Sequence, residues 1–550
     1  MNSYFAFLRR QLPGVALLLL AARAGAAVWQ WSTPVDAGRA FLWIPPECQQ
    51  VRAVVVGQNN MIEQGILEHP ILRRELAKLG IAEIFIAPPF ENWQNAASND
   101  AANARFDAVM KSLAEVSGYS ELKFAPIVPL AHSAMASYPW NFAAWNPQRT
   151  LAILSVHGDA PQTDRVGNGK PNASWGGRNI DGIPGLMVMG EYEWSDDRLT
   201  PALKFRAEHP NAAIAMLAEP GNGHFNYCDD LVKFLAMFIR KSAEARLPAE
   251  FPPDKPPVLR PIDPTKGWLV ERWHLNQLRT VKPAAFAKYS GDPREAFWCF
   301  DKEMAWDTQN YFAGQPGKLP QLLCIATGDL PLAKGCGEPV ELPFLPLADG
   351  VTFRLKTSFM GFVPGDATHN QNAARWAYLP PGSPLGHATG GEPIVLHKIV
   401  GPVIQTGTNT FRVAFNRVSS TRDGRDNDIW LWASQAGDAK HKRIVQQAHM
   451  RIPDFNQGTP QRITFPEIPG QKAGTKSLKL GAVSDSGREV YYFVREGPAE
   501  IDGGELQFTR IPPRTKFPVK VTVVAWQLGR DGDPKLKTAT PVEQTFEILN

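Results

Sequence analysis

Apolar runs alternate with amphipathic stretches through the first half of the chain. Residues 28–33 and 39–44 read as strands divided by a turn-prone Pro34 to Gly38, and the β-branched run 51–56 reads as a buried strand that opens into the polar loop Gly57-Gln58-Asn59-Asn60. Residues 68–78 carry helical periodicity, stopped by Gly80. A short strand at 81–87 ends at Pro88-Pro89, and an amphipathic helix at 102–116 is closed by Ser117-Gly118. The next apolar run, 124–130, meets a tight turn from Ala131 to Met135, and a helical segment follows. Three more apolar runs (150–156, 185–189 and 212–217) each lead into a polar tail: His157-Gly158-Asp159, then Gly190-Glu191-Tyr192-Glu193, then Gly221-Asn222-Gly223-His224-Phe225. A helix at 229–240 comes last. Strands alternating with helices predict an α/β domain with a mostly parallel sheet covered on both faces.

The pattern changes after residue 247. Seven prolines fall between Leu247 and Pro264, which predicts a stiff linker and a boundary. Residues 267–312 are rich in Trp, Phe and Tyr and read as a connecting unit. From about 350 to 452, short alternating strands such as 352–356, 410–415 and 429–433 predict a β-sandwich. The acidic stretch Asp423 to Asp428 reads as a solvated hairpin turn, with a calcium loop as the alternative. Evenly spaced strands at 478–483, 489–495, 505–509, 519–526 and 542–548 predict an immunoglobulin-like module. The expected division is therefore a signal segment at 1–26, an α/β domain at 27–248, a Pro-rich linker and connecting region at 249–345, a β-sandwich at 346–460 and the last all-β module at 461–550.

Composition adds compartment and partners. Arg9 and Arg10 precede an apolar run at 15–22, and Ala24-Gly25-Ala26 supplies small residues for cleavage, so the N-terminus reads as a secretory signal on a protein expected to be secreted or periplasmic. The run is too short for a bilayer anchor. Cleavage removes three arginines and no acid, taking the formal charge from +4 to +1. A near-neutral chain gives no electrostatic reason to bind nucleic acid or an anionic membrane surface. The five cysteines lack C-x-x-C spacing; Cys324 and Cys336 form the most local pair for a disulfide.

The turn after 124–130 holds the candidate chemistry. A serine at a strand-to-helix corner exposes its hydroxyl, and the next backbone N–H points at the same spot, so Ser133 and Ala134 are the candidate nucleophile and oxyanion donor. The corner Ala131-His132-Ser133-Ala134-Met135 resembles the G-x-S-x-G nucleophile elbow of the α/β-hydrolases, with Ala131 and Met135 in place of the two glycines. Pro126, Pro129 and Pro139 crowd the strand and helix around it. The family's order of serine, acid and histidine is matched by Ser133, Glu193 and His224, each just past a predicted strand. Glu191 is the alternative acid and His132 the competing histidine.

The resemblance covers about residues 28–248. It implies an acyl-enzyme mechanism in which Ser133 attacks an ester carbonyl, His224 relays the proton and Glu193 orients His224. Ala134 N–H and an N–H of Asn59 or Asn60 would hold the oxyanion, with no metal or organic cofactor. Ala134 also departs from the arginine that follows the serine in glucuronoyl esterases. The polar loop from Asp159 to Asp181, with Asn168, Lys170, Asn172, Trp175, Arg178 and Asn179, reads as a sugar-recognition loop in which Trp175 binds substrate, with an ordinary long connection as the alternative. The expected protein is a serine esterase acting on ester substituents of a polysaccharide. The alternatives are a polyester or lipid-ester hydrolase and an inactive carbohydrate-binding surface protein.

Overall fold

In the computed structural model, which describes residues 29–95, 97–163, 174–252, 254–330, 339–365, 371–419 and 424–550, the apolar runs of the first half become one eight-stranded sheet. The strands are β1 (Trp31–Val35), β2 (Gly38–Trp43), β3 (Ala53–Gln58), β4 (Ile81–Ala87), β5 (Ile127–His132), β6 (Ile153–Val156), β7 (Pro184–Gly190) and β8 (Ala213–Glu219). They lie in the order β1-β2-β4-β3-β5-β6-β7-β8. β1 and β2 are antiparallel to their neighbours, and every pair from β4 to β8 is parallel. Strands β3 to β8 are buried along their whole length because helices cover both faces, which is why their sequences read as unbroken apolar runs. β1, at the sheet edge, alternates buried and exposed residues instead.

The crowded prolines fit for local reasons. Pro129 stands opposite Val56 in β5, where it has no N–H to give to the ladder. On the other side of β5 the register slips by one residue there: Ile127 faces Thr150, but Leu130 faces Leu154. Pro139 is the third residue of the helix Ser137–Trp145, within the first turn, whose N–H groups have no intrahelical acceptor.

The Pro-rich segment is tied to the α/β domain rather than spanning a gap. Arg260 N–H donates to the Arg246 carbonyl at 3.0 Å and Ile262 N–H to the Gly182 carbonyl at 2.9 Å. The connecting region forms a small sheet of β9 (Trp268–Glu271), β10 (Ala284–Ala285) and β11 (Ala296–Cys299), followed by the helix Lys302–Ala313. Trp273, Phe297 and Phe312 join the core that covers Met187 and Met216, so its aromatics are packing.

Beyond Ala313 the described residues are all β apart from the short helix Gln371–Ala377. Strands β12 (Leu323–Thr327), β13 (Val340–Glu341), β14 (Thr352–Phe359), β15 (Val395–Val400), β16 (Val403–Gly407), β17 (Thr410–Val413), β18 (Asp428–Gln435) and β19 (Ile444–Arg451) make two four-stranded sheets, β12-β14-β17-β16 and β13-β19-β18-β15. β12 opens this sandwich earlier in the chain than residue 346, because its short buried run pairs with a strand more than twenty residues later. The last module builds a four-stranded sheet on Val519–Trp526 and Val542–Leu549 and a three-stranded one on Ala499–Asp502 and Glu505–Phe508. The sandwich shares one core with the α/β domain: Leu67 and Leu235 belong to the same buried cluster as Ile429, Trp432 and Val445.

Among the described residues no helix is long and apolar enough to cross a membrane. The signal segment at 1–26, Cys336 of the expected disulfide, Asp423 of the acidic turn, and Asn168, Lys170 and Asn172 of the polar loop lie outside the described residues. Within that acidic turn, the Asp428 carboxylate accepts a hydrogen bond from Arg451 at 2.6 Å.

Candidate active site

β5 ends at His132 and the chain turns at Ser133, whose φ of 52° lies in the left-handed region. A non-glycine residue held there carries about 1–3 kcal/mol of strain. The geometry explains it: a strand that breaks into the turn Ser133–Met135 and the helix Ser137–Trp145 leaves the serine at the tip, clear of the sheet. The tight approach expected at the elbow falls one residue beyond Met135. There Ala136 meets Gly158, where an added Cβ would lie 2.1 Å from the Ala136 Cβ. The glycine that this packing demands therefore stands after β6, and Met135 turns toward the core under the elbow.

Ser133, His224 and Glu193 come together from the ends of β5, β8 and β7. His224 Nε2 is 2.6 Å from Ser133 Oγ, and His224 Nδ1 is 2.5 Å from Glu193 Oε2. The carboxylate can only accept, so Nδ1 carries the proton and Nε2 is left to accept from the serine hydroxyl. The loops bearing the acid and the base are zipped together. Tyr192 N–H donates to the Asn222 carbonyl at 3.0 Å, and a Cβ on Gly190 would lie 2.6 Å from that same oxygen. Only glycine allows that approach.

Glu193 is buried and saturated with donors. Its Oε1 accepts from Gly190 N–H at 2.9 Å and from His157 Nδ1 at 2.5 Å; its Oε2 accepts from Arg198 at 2.9 Å as well as from His224. Burial opposes its charge, but His157, His224 and Arg198 outweigh that and hold the carboxyl well below the usual range. Arg198 also donates to Asp159 at 2.6 Å and to the carbonyls of His157 and Gly158 at 2.9 and 3.0 Å.

Glu191, the alternative acid, faces elsewhere. It accepts from Lys442 at 2.7 Å, from Tyr378 O–H at 2.7 Å and from Gly221 N–H at 2.8 Å. His132, the competing histidine, is buried beneath the elbow with Nε2 donating to the His224 carbonyl at 2.7 Å, so it holds the base loop and does not face the serine. Burial, with His224 and His157 alongside, holds His132 well below the usual imidazole range and keeps it neutral.

Two expectations are corrected. The backbone N–H groups of Asn59 and Asn60 are already committed, the first to the Ile86 carbonyl at 2.8 Å and the second to Glu63 Oε2 at 3.1 Å. The loop after β3 is drawn onto Glu63, which also accepts Met61 N–H at 2.8 Å and His132 N–H at 2.8 Å. Burial pushes the Glu63 carboxyl up to about 7 against these donors. What the loop leaves unspent is the buried Asn59 side-chain amide, neither end of which has a partner. Trp175 is the second correction. It is 1% exposed, its indole N–H donates to Asn141 at 2.9 Å, and its ring packs edge-on to Phe205, so it belongs to the core and presents no face to substrate.

The groups that sequence reasoning passed over are Glu63, His157, Arg198 and Glu219. His157 does follow a predicted strand, in the same position as the other site tails, and that placement was its only signal. The others are brought in by packing from helices and from β8.

A cleft of about 870 Å³ lies beyond the base loop, between the α/β domain and the sandwich, lined by Tyr227, Cys228, Tyr311, Trp432 and Arg443 among others. The sandwich also reaches the site itself: Phe225, next to His224, packs against Trp430 at 5.2 Å between ring centroids.

The strand order and the serine turn define an α/β-hydrolase fold followed by all-β domains. No family model matches the sequence, and no curated protein matches it. Solved structures that resemble it include an S-formylglutathione hydrolase from Agrobacterium tumefaciens, with 12% identity, a TM-score of 0.29, and coverage of 39% of this chain and 93% of that one. Another is LpqC, a poly(3-hydroxybutyrate) depolymerase from Bordetella parapertussis, with 12% identity, a TM-score of 0.28, and coverage of 40% and 92%. A third is Est1E from Butyrivibrio proteoclasticus, with 11% identity, a TM-score of 0.27, and coverage of 39% and 100%.

Proposed function

We propose that the protein is a serine hydrolase of carboxylic esters. The observation that carries this reading is the hydrogen-bonded chain from Ser133 through His224 to Glu193, at 2.6 and 2.5 Å, with the serine at positive φ beyond a parallel sheet. Ser133 Oγ attacks the ester carbonyl carbon while His224 Nε2 takes the hydroxyl proton. The C–O bond to the alcohol breaks and His224 returns the proton to the departing oxygen. Water then repeats the sequence on the acyl-enzyme, releasing the acid and restoring Ser133. The oxyanion is held by Ala134 N–H, the backbone donor that follows the serine.

The surroundings support a substrate class. The cleft beside the base loop mixes aromatic rings with amides, a carboxylate rim and Arg443, a lining suited to sugar hydroxyls and rings rather than to an acyl chain. This supports an ester substituent on a polysaccharide, met outside the cytoplasm by an exported protein. The four-stranded and three-stranded sheets of the last module support the immunoglobulin-like reading of residues 461–550, as a spacer or binding unit.

The test is hydrolysis of p-nitrophenyl acetate and butyrate by the purified protein and by Ser133→Ala. Activity in the first and a loss of at least about a thousandfold in the second is expected. Equal activity in both rules out the serine mechanism, and folded protein inactive toward these esters and toward acetylated polysaccharide favours a binding role.

A further inference from the structure

The Glu193 carboxylate serves two imidazoles, and the second of these has no part in the mechanism above. His157 sits at the end of β6 with φ of 49°, fully buried, its Nδ1 2.5 Å from Glu193 Oε1. Its other nitrogen, Nε2, is 3.3 Å from Glu219 Oε2, close enough for charge attraction although the two are not aligned as a hydrogen bond. Glu219 ends β8 and accepts from Tyr311 O–H at 3.1 Å and Asn222 at 3.3 Å. The buried chain thus runs Ser133, His224, Glu193, His157, Glu219, Tyr311, and its far end opens on the large cleft.

We propose that His157 is a positioning residue for the reaction: as a second cation on the acid, it fixes the Glu193 carboxylate and sets the basicity of His224. The proposal rests on the Ser133, His224 and Glu193 reading. The charges around His157 support it from every side. Glu193 and Glu219 face its two nitrogens, and Arg198 binds its carbonyl while paired with Asp159. The rings of His132 and His224 stand 5.8 and 6.2 Å away between centroids. Burial alone would strip the His157 proton, but the Glu193 and Glu219 carboxylates overcome it and raise the group to about 9. At neutral pH the ring is therefore an imidazolium sharing its counter-ion with the base.

Sharing has a direction. When His224 takes the serine proton, it becomes a third cation on a carboxylate already carrying His157 and Arg198. The attraction of Glu193 for protonated His224 is therefore weaker than it would be without the His157 charge. Removing the His157 charge while keeping its hydrogen bond should therefore move the acid limb of activity upward. Two unit charges 6.2 Å apart in a protein interior correspond to about one to two pH units.

His157→Asn is the variant that isolates the charge. The asparagine amide N–H falls where Nδ1 was, and asparagine tolerates the left-handed backbone that would strain alanine. The expected result is an acid limb of kcat/KM raised by about one to two units, KM little changed, and an upward move in the pH at which His224 takes up a proton by imidazole NMR in the Ser133→Ala background. A second readout needs no activity. A histidine raised to about 9 in the fold contributes stability that is complete below the ordinary imidazole value near 6.5 and lost as pH rises through about 9. The protein should lose urea resistance across that window, His157→Asn should not, and Glu219→Gln should move the loss to lower pH. If His157→Asn fails to fold, the Glu219→Gln stability profile decides. An unmoved acid limb in folded His157→Asn, or an unmoved stability profile in Glu219→Gln, overturns the proposal. Activity surviving Ser133→Ala would instead overturn the reading on which it rests.

Discussion

The sandwich and the last module both pack on the α/β domain, and they grip it in different places. The sandwich holds the loops of the candidate site. Lys442 and Glu191 form an ion pair 1% and 0% exposed, Trp376 and Arg375 both donate to the Tyr192 carbonyl, and Gln447 reaches Asn226 in the base loop. The last module holds the opposite edge of the sheet. Glu496 pairs with Ser32 and Arg39 on β1 and β2, Arg514 with Glu121, and Lys516 N–H with the carbonyl of Ser117. The first set of contacts fixes loops that must keep an acid and a base about 2.5 Å apart. The second fixes elements that only need to remain folded.

Three substitutions sharpen the contrast. Lys442→Met should have the largest effect, because it leaves the Glu191 charge buried with only neutral donors. A loss of about 3–5 kcal/mol is expected by urea unfolding. A fall in kcat should accompany it as the Glu191 to Glu193 turn loosens, and Glu191→Gln in the same chain should recover much of the stability. Arg514→Ala should be intermediate: Glu121 keeps its bond from Val51 N–H, so about 1–3 kcal/mol of stability is lost while kcat/KM on p-nitrophenyl acetate stays at its original value. Arg510→Ala, removing a pair with Glu47 in which both side chains are 72% exposed, should change stability by no more than about 1 kcal/mol and activity not at all. A fall in kcat/KM with Arg514→Ala, or an unchanged rate with Lys442→Met, would break the comparison.

Strands β3 to β8 were legible as apolar runs, because a strand buried on both faces must be apolar throughout. Ser133, Glu193 and His224 were legible for a related reason: each follows such a strand at the carboxyl edge, where side chains leave the core. The helix Asp196–Glu208 was not expected; its polar first turn and internal Pro201 hide its period. Trp175 was misread because a tryptophan in a polar loop looks exposed until its neighbours are known, and here they are Asn141 and Phe205. Asn59 and Asn60 do follow β3, but whether an N–H is free depends on its acceptors. Those acceptors are Ile86 and Glu63.

What the sequence determined by itself was the order of elements and the order of the chemistry along them, since periodicity and strand-end position are local properties of the chain. The tertiary structure decided which carboxylate hydrogen-bonds His224, where the loop N–H groups are spent, and that a second histidine shares Glu193. It also decided that a lysine 251 residues from Glu191 anchors the acid loop. Those outcomes depend on burial and on distances of a few ångströms between distant segments. Electrostatic energy in a low-dielectric interior turns on these quantities, and a linear sequence does not contain them.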